Sequence, residues 1–237
     1  MNLPIKKIPG TVVGVADLSP SAREVRIALP EDFAFEAGAF VNVFAKIGDE
    51  TLRRAYTISS DGKNPREIAL TVRRVIGGQL SPIFWAEDAV GQKVEIMGPL
   101  GKNTADKMRG GKVRLFGFGV GVSAVKAMAH RFADDPKCAD LFVANGSRTE
   151  EEILYREFFE EIHAARPDAA RAPRFAVTKP ESSEYPYPGY IQAHIADVDF
   201  DGADVLICGP GVACEALAAE IRAKNPRNLN LLVESFG

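Results

Sequence analysis

The feature that most restricts the fold of this chain is a change of rhythm near residue 108. Before it, short alternating or β-branched runs follow one another: TVVGVADL (11–18), EVRIAL (24–29), FVNVFAKI (40–47), RAYTIS (54–59), EIALTVRR (67–74) and KVEIMG (93–98). Breaks such as LPED, IGDE and DGKNP separate them. Six evenly spaced runs of this kind predict a small antiparallel barrel. In this half only QLSPIFWAE (79–87) is predicted helical. After the polar, glycine-bearing stretch KNTADKMRGG (102–111), strand and helix alternate through KVRLFGFG, SAVKAMAHRFA, DLFVANG, EEEILYREFFEEIHAA, RFAVTK, YIQAHIAD, DVLICGP, ACEALAAEIRAK and LNLLVES. Elements of these lengths predict parallel strands with crossover helices on both faces. The expected fold is therefore an antiparallel β-barrel domain over residues 1–108 followed by an α/β parallel-sheet domain over 109–237. A length of 237 residues and a hydrophobic content of 46% are enough to give each domain a core.

Composition removes several classes of function. The net charge is -3 with 26% charged residues, so the basic excess that accompanies phosphate-backbone binding is missing and no nucleic-acid partner is expected. The N-terminal MNLPIKKIPG has no apolar run, and no stretch approaches the roughly 20 apolar residues that span a bilayer; a cytoplasmic protein without a membrane span is expected. Cys138, Cys208 and Cys214 are scattered, without the close spacings that hold zinc or iron–sulfur clusters, so no metal site is expected.

Ligands of an open parallel sheet bind beyond the carboxyl ends of its strands. After the first strand, GFGVGVSA places Gly117, Gly119 and Gly121 in a turn that Val122 continues into a helix, where free N–H groups and the positive dipole end suit a pyrophosphate. The spacing is not GxGxxG, and such a turn also occurs for packing alone. The loop after the second strand, NGSRTEEEILYREFF, begins with Asn145, Ser147 and Arg148. Hydroxyl and arginine donors suit a ribose 2′-phosphate better than a free 2′-hydroxyl, and Tyr155 on the following helix is placed to stack on adenine. The competing reading is an exposed helix start with Thr149 or Ser147 as N-cap and Glu150–Glu152 in the first turn, which leaves Arg148 without a role. At the end of the fourth strand, LICGPG sets Cys208 towards the same crevice, although a strand cysteine also serves as a small hydrophobe. In the barrel, RRAYTISS (53–60) puts a cation, an aromatic ring and a hydroxyl within four residues; alone, it is compatible with any half-exposed strand.

Taken in order, RAYT, GGQLS, GPLG, GFGVGVSA, ICGP and the terminal VESF resemble the ferredoxin-NADP reductase superfamily, from about residue 10 to the end. The resemblance implies a barrel that holds FAD, with FMN as the alternative, and an α/β domain that holds NADPH or NADH. It assigns the flavin pyrophosphate to Arg54, ring packing to Tyr56 and a hydrogen bond near the reactive nitrogen to Thr57, with Ala55 between them in the same motif. Gly77, Gly78 and Ser81 match the segment that caps the phosphates at a helix N-terminus. Gly117, Gly119, Gly121 and Val122 match the pyridine-nucleotide loop, and LYREFF resembles the helix carrying the adenine-side tyrosine. Cys208, Gly209 and Pro210 match the motif beside the nicotinamide, while Glu234 and Phe236 match a terminal Glu-x-aromatic in which the ring covers the flavin. Phe236 alone is equally readable as a residue tucked into the core. The implied catalytic set is Thr57, Cys208, Glu234 and Phe236, and His130, His163 and His194 are expected to be structural or surface residues.

With no cysteine cluster, an internal iron–sulfur relay is not expected and the electron acceptor is external. Three functions follow: a reductase that serves ferredoxin or flavodoxin, the flavin subunit of a larger redox or oxygenase complex, and a nucleotide-binding module without turnover.

Overall fold

A computed structural model describes residues 3–236 and divides the chain into two compact units, Met1–Thr104 and Ala105–Gly237. The first unit is a six-stranded antiparallel sheet in the order β4-β3-β6-β1-β2-β5. Its strands are β1 (Lys6–Ser19), β2 (Ala22–Ala28), β3 (Phe40–Ile47), β4 (Glu50–Thr57), β5 (Glu67–Arg73) and β6 (Lys93–Leu100). In β3 the pleat sends Val41, Val43 and Ala45 inward, and in β6 it sends Val94 and Ile96 inward, so alternate residues build one buried face. Ile58, just after β4, forms an antiparallel bridge with Leu70 of β5, and the Ser59 N–H donates to the Ala69 carbonyl at 2.8 Å. The two ends of the sheet are thus brought round to one another, as an antiparallel barrel requires. The enclosed core includes Val12, Val25, Ile27, Ile68, Leu70 and Phe84.

The second unit is a five-stranded parallel sheet in the order β11-β10-β7-β8-β9, with β7 (Lys112–Phe118), β8 (Asp140–Ser147), β9 (Arg174–Val177), β10 (Asp204–Pro210) and β11 (Asn230–Phe236). β7 and β10 are buried along nearly their whole length, Arg114 and Asp204 included, which is why their sequences do not alternate. The helices are α1 (Val122–Ala133), α2 (Arg156–Ala165) and α3 (Gly211–Ala223). At the amino ends of the strands the charges are paired. Asp204, fully buried, accepts from the Arg109 and Gly110 N–H groups at 2.8 and 2.9 Å and from the Asn230 amide at 2.8 Å. The equally buried Arg114 holds Asp140 at 2.5 Å. The order places β7 beside β10, so the strand order reverses between them and a crevice opens at their carboxyl ends.

Three expected elements differ. The helix predicted over 79–87 is a single 3-10 turn, Ser81–Phe84; Pro82 lies in its first turn, where a missing N–H is tolerated, and the chain leaves the turn at Trp85, whose N–H bonds the Pro82 carbonyl. The helix predicted from Glu150 is interrupted: Glu150–Glu152 forms a 3-10 turn, Ile153 is extended, and α2 starts at Arg156. Between β9 and β10 the crossover contains one 3-10 turn, Ile191–His194, instead of a helix. Among the described residues no helix is long and apolar enough to cross a membrane.

Candidate functional site

In the barrel, β4 pairs with β3 in the register Val43–Arg54, Asn42–Ala55, Val41–Tyr56 and Phe40–Thr57. Arg54 and Ala55 are exposed, whereas Tyr56 and Thr57 are half-buried. The Tyr56 ring meets Phe84 edge-on, with centroids 6.3 Å apart and planes at 85°. Burial pushes its phenol up to about 12, against a smaller opposing pull from the Arg54 charge, so the neutral form is further favoured. Arg54 donates from Nη1 to the Arg53 carbonyl at 2.7 Å and keeps its guanidinium at the surface. A cation, a fixed neutral ring and a hydroxyl therefore lie along one edge of the sheet.

The loop after β5 is shaped by its own hydrogen bonds. Gly77 has φ +73, a left-handed conformation that favours glycine. Gly78 donates to the Val75 carbonyl at 2.9 Å, and a Cβ there would stand 2.9 Å from that same oxygen. The buried Ser81 hydroxyl accepts from the Val75 N–H at 3.1 Å. The loop is thus a turn built on its own hydrogen bonds, not the start of a long helix.

In the second unit the register sets four residues side by side across four strands: Asn145 on β8, Gly117 on β7, Cys208 on β10 and Glu234 on β11. Next in register, Gly209 meets Ser235 and Pro210 meets Phe236. The glycines of the turn have separate reasons. A Cβ on Gly121 would stand 2.2 Å from the Cys208 carbonyl oxygen, and one on Gly117 would stand 2.8 Å from Val122 Cγ2, so both allow α1 to approach the strands. Gly119 has φ +54, which turns the chain into the helix. α1 starts with Gly121 at its N-cap and no side-chain cap; the Val122 N–H bonds the Gly119 and Val120 carbonyls of the preceding 3-10 turn, so any N–H groups left for another acceptor lie further into the first turn.

The Cys208 thiol is fully buried, and burial, with the Glu234 carboxylate and the Cys214 thiol adding to it, holds it in the protonated form. Cys214 on α3 is pushed up to about 11 by burial, then by Glu215 and Glu234, and its sulfur lies 3.8 Å from the Glu234 carbonyl. Phe236, at the end of β11, is 40% exposed as a residue and is not tucked into the core.

At the end of β8, Ser147 donates to the Glu152 carbonyl at 3.2 Å and Arg148 is exposed. Thr149 occupies the N-cap position but does not cap; its hydroxyl is buried without a hydrogen-bond partner. Tyr155, expected within a helix, stands before it as the α2 N-cap in the left-handed region, with φ 56 and ψ 32. Lys126 Nζ on α1 lies 4.3 Å from the centroid of its ring. That cation was not foreseen; its only signal was a lone lysine in the apolar run SAVKAMA.

Residues 9–104 match the model of the oxidoreductase FAD-binding domain, and residues 115–218 match that of the oxidoreductase NAD-binding domain. The phenol hydroxylase P5 protein of Acinetobacter pittii is 24% identical over 98% of this chain, which spans 66% of that protein's length. Ferredoxin--NADP reductase B of Sorangium cellulosum is 29% identical, with 84% of each chain covered. Among solved structures, the Amycolatopsis cytochrome P450 reductase GcoB superimposes with a TM-score of 0.88 at 26% identity, covering 98% of this chain and 70% of that one. The chain belongs to the ferredoxin reductase-like family of flavin- and NAD(P)H-dependent oxidoreductases.

Proposed function

We propose that this chain is the electron-input unit of an NAD(P)H-dependent reductase that serves an external acceptor, either an oxygenase component or a small redox protein such as ferredoxin or flavodoxin. The observation that carries the reading is the row Gly117, Cys208 and Glu234 at the carboxyl ends of adjacent strands, beside an uncapped helix N-terminus. The names of the relatives, a phenol hydroxylase protein and a ferredoxin--NADP reductase, support the choice of acceptor classes.

Residues 1–108 are the flavin-binding part in this proposal and residues 109–237 the nucleotide-binding part. The barrel fits FAD: an exposed guanidinium, a seated neutral ring and a glycine turn with backbone donors are what a diphosphate and a planar ring need. FAD, when bound, supplies the acceptance of a hydride from NAD(P)H and the release of electrons one at a time. The chain's own work is to bind and orient. Arg54 pairs with phosphate oxygens, Tyr56 offers a flat apolar face, and Thr57 offers a hydroxyl donor, with Ala55 leaving the edge open between them. Gly77, Gly78 and Ser81 supply the loop backbone.

For the pyridine nucleotide, Gly117, Gly119, Gly121 and Val122 form the turn whose N–H groups take the diphosphate. Ser147 and Arg148 take the 2′-phosphate of NADPH, while Tyr155 stacks on adenine with the ring face away from Lys126. Cys208, Gly209 and Pro210 shape the nicotinamide end by volume and backbone, since the buried thiol stays protonated. Glu234 supplies a carboxylate at the same level, and the exposed Phe236 ring offers a face to a planar ligand. A cytoplasmic location is part of the proposal, in keeping with three cysteines that are all free thiols. Reconstitution with FAD tests the barrel half: a yellow protein with one FAD per chain supports the reading, and a protein that stays colourless overturns it.

A further inference from the structure

We propose that Asn145 is a positioning residue for the pyridine nucleotide, acting through the β7–α1 turn. The inference rests on the reading of that turn as the nucleotide site. Asn145 is 1% exposed, and both polar atoms of its carboxamide are buried with no hydrogen-bond partner. Its neighbours along β8, Leu141, Phe142, Val143 and Ala144, are buried and apolar. A side chain of asparagine's size with no polar atoms would fill the same space without the desolvation penalty that an unmet amide carries. The amide therefore needs a reason that the ligand-free packing does not supply.

Its position supplies one. Asn145 is in register with Gly117, and its Oδ1 lies 3.0 Å from the place a Cβ on Gly117 would take. The same point is 3.0 Å from the Cα of Val122, the first residue of α1. The carboxamide is thus enclosed beneath the one helix start that the mechanism assigns to the diphosphate, and that start has no side-chain cap. When phosphate oxygens take up N–H groups at the start of α1, the turn, until then held by the Val122 N–H on the Gly119 and Val120 carbonyls, rearranges over β8 and the Asn145 amide gains backbone partners. A hydrogen bond that is missing without ligand and made with it adds directly to affinity.

The test uses the FAD-loaded full chain, with NADP+ and NAD+ binding measured by calorimetry and melting followed with and without nucleotide. Asn145→Leu is expected to melt no lower than the parent without nucleotide and to bind both nucleotides about tenfold more weakly, with an unchanged flavin spectrum. An affinity within about twofold of the parent overturns the proposal, as does a loss of affinity accompanied by a matching loss of nucleotide-free stability. If Asn145→Leu does not fold, Asn145→Ala decides on the same affinity criterion. A parent that binds neither nucleotide defeats the reading of the turn itself; a parent that binds them and variants that bind equally well defeat the role of Asn145 alone.

Discussion

Gly121 packs so tightly against the end of β10 that a methyl group on it would stand 2.2 Å from the carbonyl oxygen of Cys208 and 2.5 Å from the carbonyl carbon. Neither atom belongs to a flexible side chain, so the strand and α1 would have to separate. Gly121→Ala is expected to destabilise the protein by about 2–3 kcal/mol in chemical denaturation and to abolish NAD(P)+ binding. Gly111→Ala, at a position where a Cβ meets nothing within 4 Å, is expected to change neither.

Gly119 answers to a different constraint. Its φ of +54 requires the left-handed conformation, and Gly119→Ala is expected to cost about 1–2 kcal/mol from that strain alone. Denaturation curves of the two variants should therefore differ, with Gly121→Ala the less stable. Equal losses would mean that the turn, and not the strand contact, governs both.

The Tyr56 phenol gives a pH signature. Burial raises it from 10.0 to about 12, so the folded state favours the neutral form. The stability this adds is fully present below the unfolded value, and it is lost as pH rises through the interval from 10 to 12, where the unfolded chain ionises first. Tyr56→Phe should flatten that fall in a pH series of denaturation curves on the flavin-free protein. An unchanged slope would place the alkaline transition elsewhere.

Coenzyme choice depends on Arg148 in this account. Arg148→Ala is expected to weaken NADPH by about tenfold to a hundredfold, the range for a hydrogen bond to a charged group, while NADH changes by less than about twofold. Equal effects on both would remove the assignment of the 2′-phosphate to this residue.

The buried thiols predict a labelling result. Cys138 and Cys208 are raised by burial, and Cys214 is pushed up to about 11 for the same reason first. All three should resist iodoacetamide near pH 8 in the folded protein and react together on unfolding, as counted by mass spectrometry. Fast labelling of Cys208 in the folded state would contradict the shaping role given to it.

The architecture was legible because two patterns are written along the chain: alternation in β3 and β6, whose other face is less buried, and mostly apolar, non-alternating stretches in β7 and β10, which are covered on both faces. What failed was local. The apolar stretch around Pro82 forms one 3-10 turn where a helix was expected, and Tyr155 adopts a left-handed cap that no propensity favours, so α2 begins later than the run of glutamates suggests. Of the candidate site, the sequence offered residue types such as Arg54, Tyr56 and the glycines. The reasons for those glycines were not legible, because Gly121 is set by a carbonyl 87 positions away on another strand. Asn145, expected to open the loop after the second strand, lies buried within β8, and only packing shows that its amide is unmet.

The central claim is that this chain accepts a hydride from a pyridine nucleotide into bound FAD. The most direct measurement is an anaerobic titration of the FAD-loaded protein with NADPH and, separately, with NADH, following the visible absorbance of the flavin. The account predicts bleaching, faster with NADPH. A flavin that stays oxidised and yellow with both coenzymes would contradict it and leave a nucleotide-binding module without turnover.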